Sequence, residues 1–156
     1  MSGSPRERLA QLGLELPPVP APVADYVPAV RTGSYVYTSG QLPFVDGVLA
    51  TTGVVGDQPV DVTPAEAAAL ARRCALNAVA AVASVVDLDD VVRVVKVTGF
   101  VASAPGFGGQ PVVLNGASEL LGQVFGEAGR HARSAVGVAA LPLGAPVEVE
   151  IVVEVR

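Results

Sequence analysis

The run from Val147 to Val155 constrains this chain more than any other segment, because it alternates almost without interruption. In an extended strand successive side chains point to opposite faces. Val147, Val149, Ile151, Val153 and Val155 therefore share one face, and Glu148, Glu150, Glu154 and Arg156, with Val152, share the other. The apolar row calls for a layer of helices over one side of a sheet. The glutamate row either meets water or lines a surface between copies, where stacked carboxylates need water, a partner charge or a shifted pKa.

The segment just upstream adds chemistry. Arg130-His131-Ala132-Arg133-Ser134 opens into an apolar strand from Ser134 to Leu141, which breaks at Pro142-Leu143-Gly144-Ala145-Pro146. An arginine held at a strand end can grip a carboxylate with two parallel hydrogen bonds. Glu148 or Glu150 on the following strand can handle a water or a proton. The short connection between the two strands would bring Arg133 close to Glu148 or Glu150 if they pair. His131 reads as a surface or turn residue.

The rest of the chain supplies the helices and further strands. Arg6 to Leu14 forms a short amphipathic helix, and residues 17–28, with five prolines, an extended lead-in. Ser34–Ser39 is a strand, with Gly47–Val55 as a hairpin-like second one. Thr63-Pro64-Ala65-Glu66 opens a helix with a capping box and a proline at the first helical position. Its stripe runs Leu70, Cys74, Ala78, Ala81, Val85, with Arg72 and Arg73 solvated off it. Val91–Ala102 reads as an inner strand covered on both faces. After a glycine-rich loop, Leu114, Leu121 and Phe125 mark a second amphipathic helix. The order β-β-α-β-α-β-β implies an α+β fold with one mixed sheet and two helices on one face.

Composition narrows the function. Only 16% of the 156 residues are charged and 51% are apolar, which leaves apolar surface to hide and favours an oligomer. The net charge is −5 with Lys96 as the single lysine, which argues against tight nucleic-acid binding. One cysteine, Cys74, and one histidine, His131, make neither a disulfide framework nor a zinc site. Cys74 falls inside a helical pattern and reads as a small buried residue. The longest uncharged run, Val97 to Ser118, is interrupted by glycines and prolines and does not read as a membrane span. The N-terminus has no signal-peptide pattern. The expectation is a soluble cytoplasmic protein.

Several of these residues form motifs. Tyr37-Thr38-Ser39-Gly40-Gln41-Leu42-Pro43, Asn77, Arg133-Ser134 with Val136-Gly137-Val138-Ala139 and Leu141-Pro142, and Val147-Glu148-Val149-Glu150 together resemble the YjgF/RidA family. The family is also known under endoribonuclease L-PSP and translation-inhibitor names. The likeness spans residues 26–155, which sets off residues 1–25 as an added N-terminal helix and lead-in to a single domain at 26–156, as in the family's longer subgroup.

The resemblance implies a chorismate-mutase-like fold and a homotrimer with a central barrel and three clefts between subunits. It also implies hydrolysis of reactive 2-enamines or 2-imines to 2-keto acids and ammonia, with no cofactor and no metal. Arg133 would grip the substrate carboxylate, Tyr26 would close the cleft, and Ser39 and Asn115 would line it. Glu148 would hold a water near the imine carbon. The family's cysteine, two residues after the arginine, is Ala135 here, which removes any thiol role and leaves Ala135 as a pocket contact. The rival readings are a non-catalytic binder of small carboxylates in the same clefts and an endoribonuclease that inhibits translation.

Overall fold

The computed structural model describes residues 3–21, 24–57 and 60–156, so Pro22 of the lead-in lies outside the described residues. In chain order the elements are α1 (Pro5–Gln11), β1 (Ala29–Thr32), β2 (Tyr35–Thr38), α2 (Pro64–Ala83), β3 (Val91–Ala102), α3 (Gln110–Phe125), β4 (Ala132–Val138) and β5 (Val147–Val155). The strands make one mixed sheet in the order β1-β2-β5-β3-β4. Only β3 and β4 run parallel, and α3 is the crossover between them.

The alternating C-terminal run is the central strand. Its five apolar residues are buried, while Glu148, Glu150, Val152 and Glu154 are intermediate. Val94, Val97 and Val101 of β3 join the buried row. Both long helices cover that face: α2 presents Ala67, Ala71, Cys74, Ala75, Ala78, Val79 and Val82, and α3 presents Val113, Leu114, Ala117, Leu120, Leu121 and Val124. Two register shifts in β3, between Val91 and Arg93 and between Val94 and Lys96, each add a residue opposite β5. They keep the valines under the helices and turn Lys96, Thr98 and Phe100 to the outer face.

Both N-terminal helix starts follow local chemistry. Thr63 accepts from the Glu66 backbone N–H at 3.3 Å, and Glu66 Oε2 accepts from the Thr63 N–H at 2.8 Å. Ser4 and Glu7 repeat this box at α1.

Several expectations are corrected. Gly47–Val55 is not a strand. Asp46 (φ 50°) and Gly47 (φ 79°) make a tight turn that pairs only Val45 with Val48. The partner of β2 is β1, reached through a turn at Gly33 (φ 55°), and β5 takes the other edge of β2, so no edge is left. The N-terminal helix expected over Arg6 to Leu14 is α1, which ends earlier, at Gln11, and packs on α3 with Leu9 buried. The strand after Arg130 covers Ala132–Val138, because its ladder with β3 starts at Ala132 opposite Lys96 and ends at Val138. Val85 lies beyond the end of α2 and is exposed, so it does not belong to the buried stripe. Arg73 is not merely solvated, because its Nε donates to the Phe44 carbonyl at 2.7 Å. Finally, β3 is covered by helices on one face only, and Val92 is exposed.

Candidate functional site

Arg133 sits in β4 opposite Val97 of β3. Val97 is buried beneath the helices, so Arg133 points to the helix side of this edge strand. There its Nη1 donates to Asn115 Oδ1 at 2.9 Å and to Ser118 Oγ at 3.2 Å, both on α3. Residues three apart on a helix share a face, which is why both reach one nitrogen. Among the described residues no acceptor meets Nε or Nη2 of Arg133. That edge of the guanidinium carries two parallel N–H donors, the geometry that suits a carboxylate. An open cleft of about 480 Å³ beside it is lined by Ser118, Gly122, Gly129, Arg130, His131 and Arg133. His131 is therefore part of the site's surroundings, not a bystander in a turn. Burial lowers its pKa, the hydrogen bond to Gly129 raises it, and the nearby Arg133 cation lowers it again.

Glu148 occupies a different place. It lies opposite Phe100, on the outer face of the sheet. A Cβ on Gly40 would meet its carboxylate, so glycine at this position leaves the Glu148 side chain where it lies against the Ser39-Gly40 segment. Burial raises the Glu148 pKa, and the charge of Glu150 adds to the shift. The adjoining Ser39 hydroxyl donates to the Val27 carbonyl at 2.6 Å, and its backbone N–H donates to Pro28 O at 2.8 Å. These bonds tie the Tyr26 segment to the same corner. Tyr26 itself is 55% exposed.

The predicted residues thus fall into two groups. Arg133, Asn115 and the half-buried Ala135 stand at the β4–α3 edge; Glu148, Ser39 and Tyr26 stand at the β2–β5 end. The expectation that Glu148 or Glu150 nears Arg133 across a strand pair is corrected: β3 lies between β4 and β5. Two strand spacings are about 10 Å, and Arg133 and Glu148 project from opposite faces. Ser118 is not among the site residues that the sequence singles out. Its partners are thirteen and fifteen residues away on other elements, so no local spacing signals it.

The other marked residues are structural. Asn77 Nδ2 donates to the carbonyls of Leu42 (2.9 Å) and Phe44 (3.2 Å), which pins the Gln41–Phe44 loop to α2. Cys74 is buried with its thiol on the Val147 carbonyl at 3.6 Å, and burial, with a smaller contribution from Glu148, pushes its pKa well up. A pocket of about 280 Å³ under Pro17–Pro20 holds Arg73 and Asn77 but neither Arg133 nor Glu148. Among the described residues no group of three or more His, Cys, Asp or Glu could hold a metal ion. No helix there is long and apolar enough to cross a membrane.

Comparison with known proteins bears on the family and the fold. A relative, Protein TCP17 of Trypanosoma cruzi, is 48% identical over 157 residues, which is 99% of this chain and 96% of that protein. The crystal structure of Atu1372 from Agrobacterium tumefaciens is 47% identical with a TM-score of 0.88, over 97% of this chain and 92% of that one. The crystal structure of E. coli TdcF with bound serine is 28% identical with a TM-score of 0.58, over 88% of this chain and 93% of that one. Residues 6–155 match the family described as "YjgF/chorismate mutase-like, putative endoribonuclease", and the chain belongs to that YjgF family.

Proposed function

We propose that this protein hydrolyses reactive 2-imino or 2-enamino acids to 2-keto acids and ammonia, in clefts shared between copies of a homotrimer. The observation that carries this reading is the free Nε–Nη2 edge of Arg133, held in place by Asn115 and Ser118. An α-carboxylate would lie along that edge. TdcF was crystallised with serine, itself a small amino acid with such a carboxylate.

The second group supplies the water chemistry. An imine carbon is electrophilic, most of all with its nitrogen protonated. It needs a positioned water and a group to take that water's proton. Glu148, a half-buried carboxylate whose pKa is raised by burial and by Glu150, suits the role of base. Tyr26 closes the cleft and Ser39 holds its segment. Ala135 leaves room near the carboxylate where a thiol would otherwise stand.

One chain keeps Arg133 and Glu148 on opposite faces, so a second copy must bring one to the other. The outer face of the sheet is suited to that contact. It exposes Val30, Tyr35 and Tyr37 side by side on β1 and β2, and Val136 on β4 at the far edge, apolar side chains with no cover among the described residues. The ribonuclease reading fares worse. A chain of net charge −5 with one lysine offers little to a phosphate backbone.

A coupled assay tests the reading. An amino-acid oxidase generates imines and semicarbazide traps the survivors. Wild type should suppress trapping. Arg133→Ala should lose both suppression and keto-acid binding. Glu148→Gln should lose turnover, by at least about 100-fold for a general base, and still bind. If wild type binds keto acids but leaves trapping unchanged, the carboxylate-binder reading replaces the deaminase; if Glu148→Gln suppresses trapping no less than wild type, Glu148 is not the base.

A further inference from the structure

Behind Arg133 runs a one-way chain of hydrogen bonds. His131 Nδ1 lies 2.6 Å from the Gly129 carbonyl oxygen, and its Nε2 lies 2.9 Å from Ser118 Oγ. A carbonyl only accepts, so Nδ1 must carry the proton. In the neutral ring Nε2 is then a bare acceptor, and the proton in its bond comes from the Ser118 hydroxyl. With its proton committed to His131, Ser118 turns its lone pairs to Arg133, whose Nη1 donates to them at 3.2 Å. Arg133 donates to Ser118, Ser118 to His131, and His131 to Gly129. Burial and the Arg133 charge both favour the neutral ring that this order needs.

We propose that Ser118 and His131 are a positioning pair for Arg133, fixing the plane of its guanidinium so that the Nε–Nη2 edge is preset for a carboxylate. Asn115 alone would let the group pivot about one hydrogen bond. A second acceptor on the same nitrogen, itself oriented by a half-buried ring, removes that freedom before ligand arrives. Preorganisation of this kind strengthens binding by lowering the ordering cost. The functional half of the proposal rests on the carboxylate reading of Arg133; the structural half does not.

The chain has a single histidine, so its ring nitrogens give one unambiguous set of NMR signals. The Arg133 guanidinium signals are identified by their loss in Arg133→Lys. Wild type at pH 7 should show a neutral ring with the proton on Nδ1. Ser118→Ala should move the Nε2 resonance toward that of a free lone pair and speed exchange of the Arg133 Nη1 protons with water. Pyruvate, the stable carboxylate probe, should bind roughly tenfold more weakly, as expected for loss of one hydrogen bond to a charged group. His131→Leu should match Ser118→Ala. Ser118→Thr and His131→Gln restore a hydroxyl and an acceptor, and should stay within about twofold of wild type on the same scale.

A proton on Nε2 instead of Nδ1 overturns the proposal. So does Ser118→Ala with unchanged Arg133 exchange and unchanged pyruvate affinity. If wild type binds no pyruvate, the carboxylate reading falls, and the ring tautomer and Arg133 exchange still decide the positioning pair.

Discussion

His131 and Glu148 are shifted in the same physical environment, partial burial, but with opposite consequences for stability. Burial, partly offset by the Gly129 hydrogen bond and reinforced by Arg133, lowers the His131 pKa in the folded state. Between that lower value and the ordinary histidine value, the unfolded chain binds more protons. Stability therefore falls as pH drops through that window. Urea midpoints measured from pH 7 downward should decline for wild type and decline less for His131→Gln. Glu148 is shifted up, by burial and then by Glu150. Here the folded state holds its proton longer, so ionisation weakens the fold as pH rises from the unfolded to the folded pKa. Glu148→Gln should be slightly more stable than wild type at pH 7, by less than about 1 kcal/mol for a partly solvated group. That gain should vanish below the ordinary carboxylate range, and a variant that is less stable at every pH would refute the assignment. Arg133 and Glu148 were legible as candidates because each sits in a motif, and Asn115 was legible only through the family resemblance. Ser118 was not, because its role comes from two through-space bonds to β4 and the turn before it. The lone His131 was discounted for the same reason.

Among the elements, the long helices were readable because their starts and stripes are local. A capping box marks the start of α2. The short strand β1 was not readable: four residues with one buried side chain carry no alternation, and they follow a run of prolines. Gly47–Val55 has strand-forming residues but no sheet edge to join, so tertiary structure overrode propensity. The contact between the helices depends on one glycine. A Cβ on Gly116 of α3 would run into the Ala68 carbonyl of α2, a backbone atom that cannot swing aside. Glycine inside a helix is disfavoured by about 1 kcal/mol against alanine. Gly116→Ala should nonetheless destabilise, by about 1–3 kcal/mol as overpacking does. Chemical denaturation checks it. A stabilised variant would mean that the helices separate freely, and that α3 does not hold Asn115 and Ser118 at a fixed distance from β4.

At the scale of the whole molecule, the sheet order decides what the site can be. The order of elements implied an α+β fold with one mixed sheet, and the structure adds that β5 is its centre. The order of elements did not foretell that β3 separates β4 from β5, because strand order is fixed by long-range packing and not by local spacing. That separation turns one predicted site into two half-sites on opposite faces. If a cleft forms where the Arg133 edge of one copy meets the Glu148 corner of the next, two inactive variants can complement each other. In the proposed homotrimer, Arg133→Ala and Glu148→Gln should each be inactive alone. When the two are unfolded together and refolded as an equal mixture, a cleft is intact whenever its arginine comes from one variant and its glutamate from the other. For random assembly of a cyclic trimer that is about one cleft in four. Imine-suppressing activity should therefore return to roughly a quarter of wild type, while mixing without unfolding returns little. No recovery after co-refolding, with mixed trimers demonstrated by native mass spectrometry, would place both residues in one chain's site and overturn the shared cleft. Recovery near a quarter would tie the open apolar sheet face, the strand order and the chemistry of Arg133 and Glu148 to one assembly.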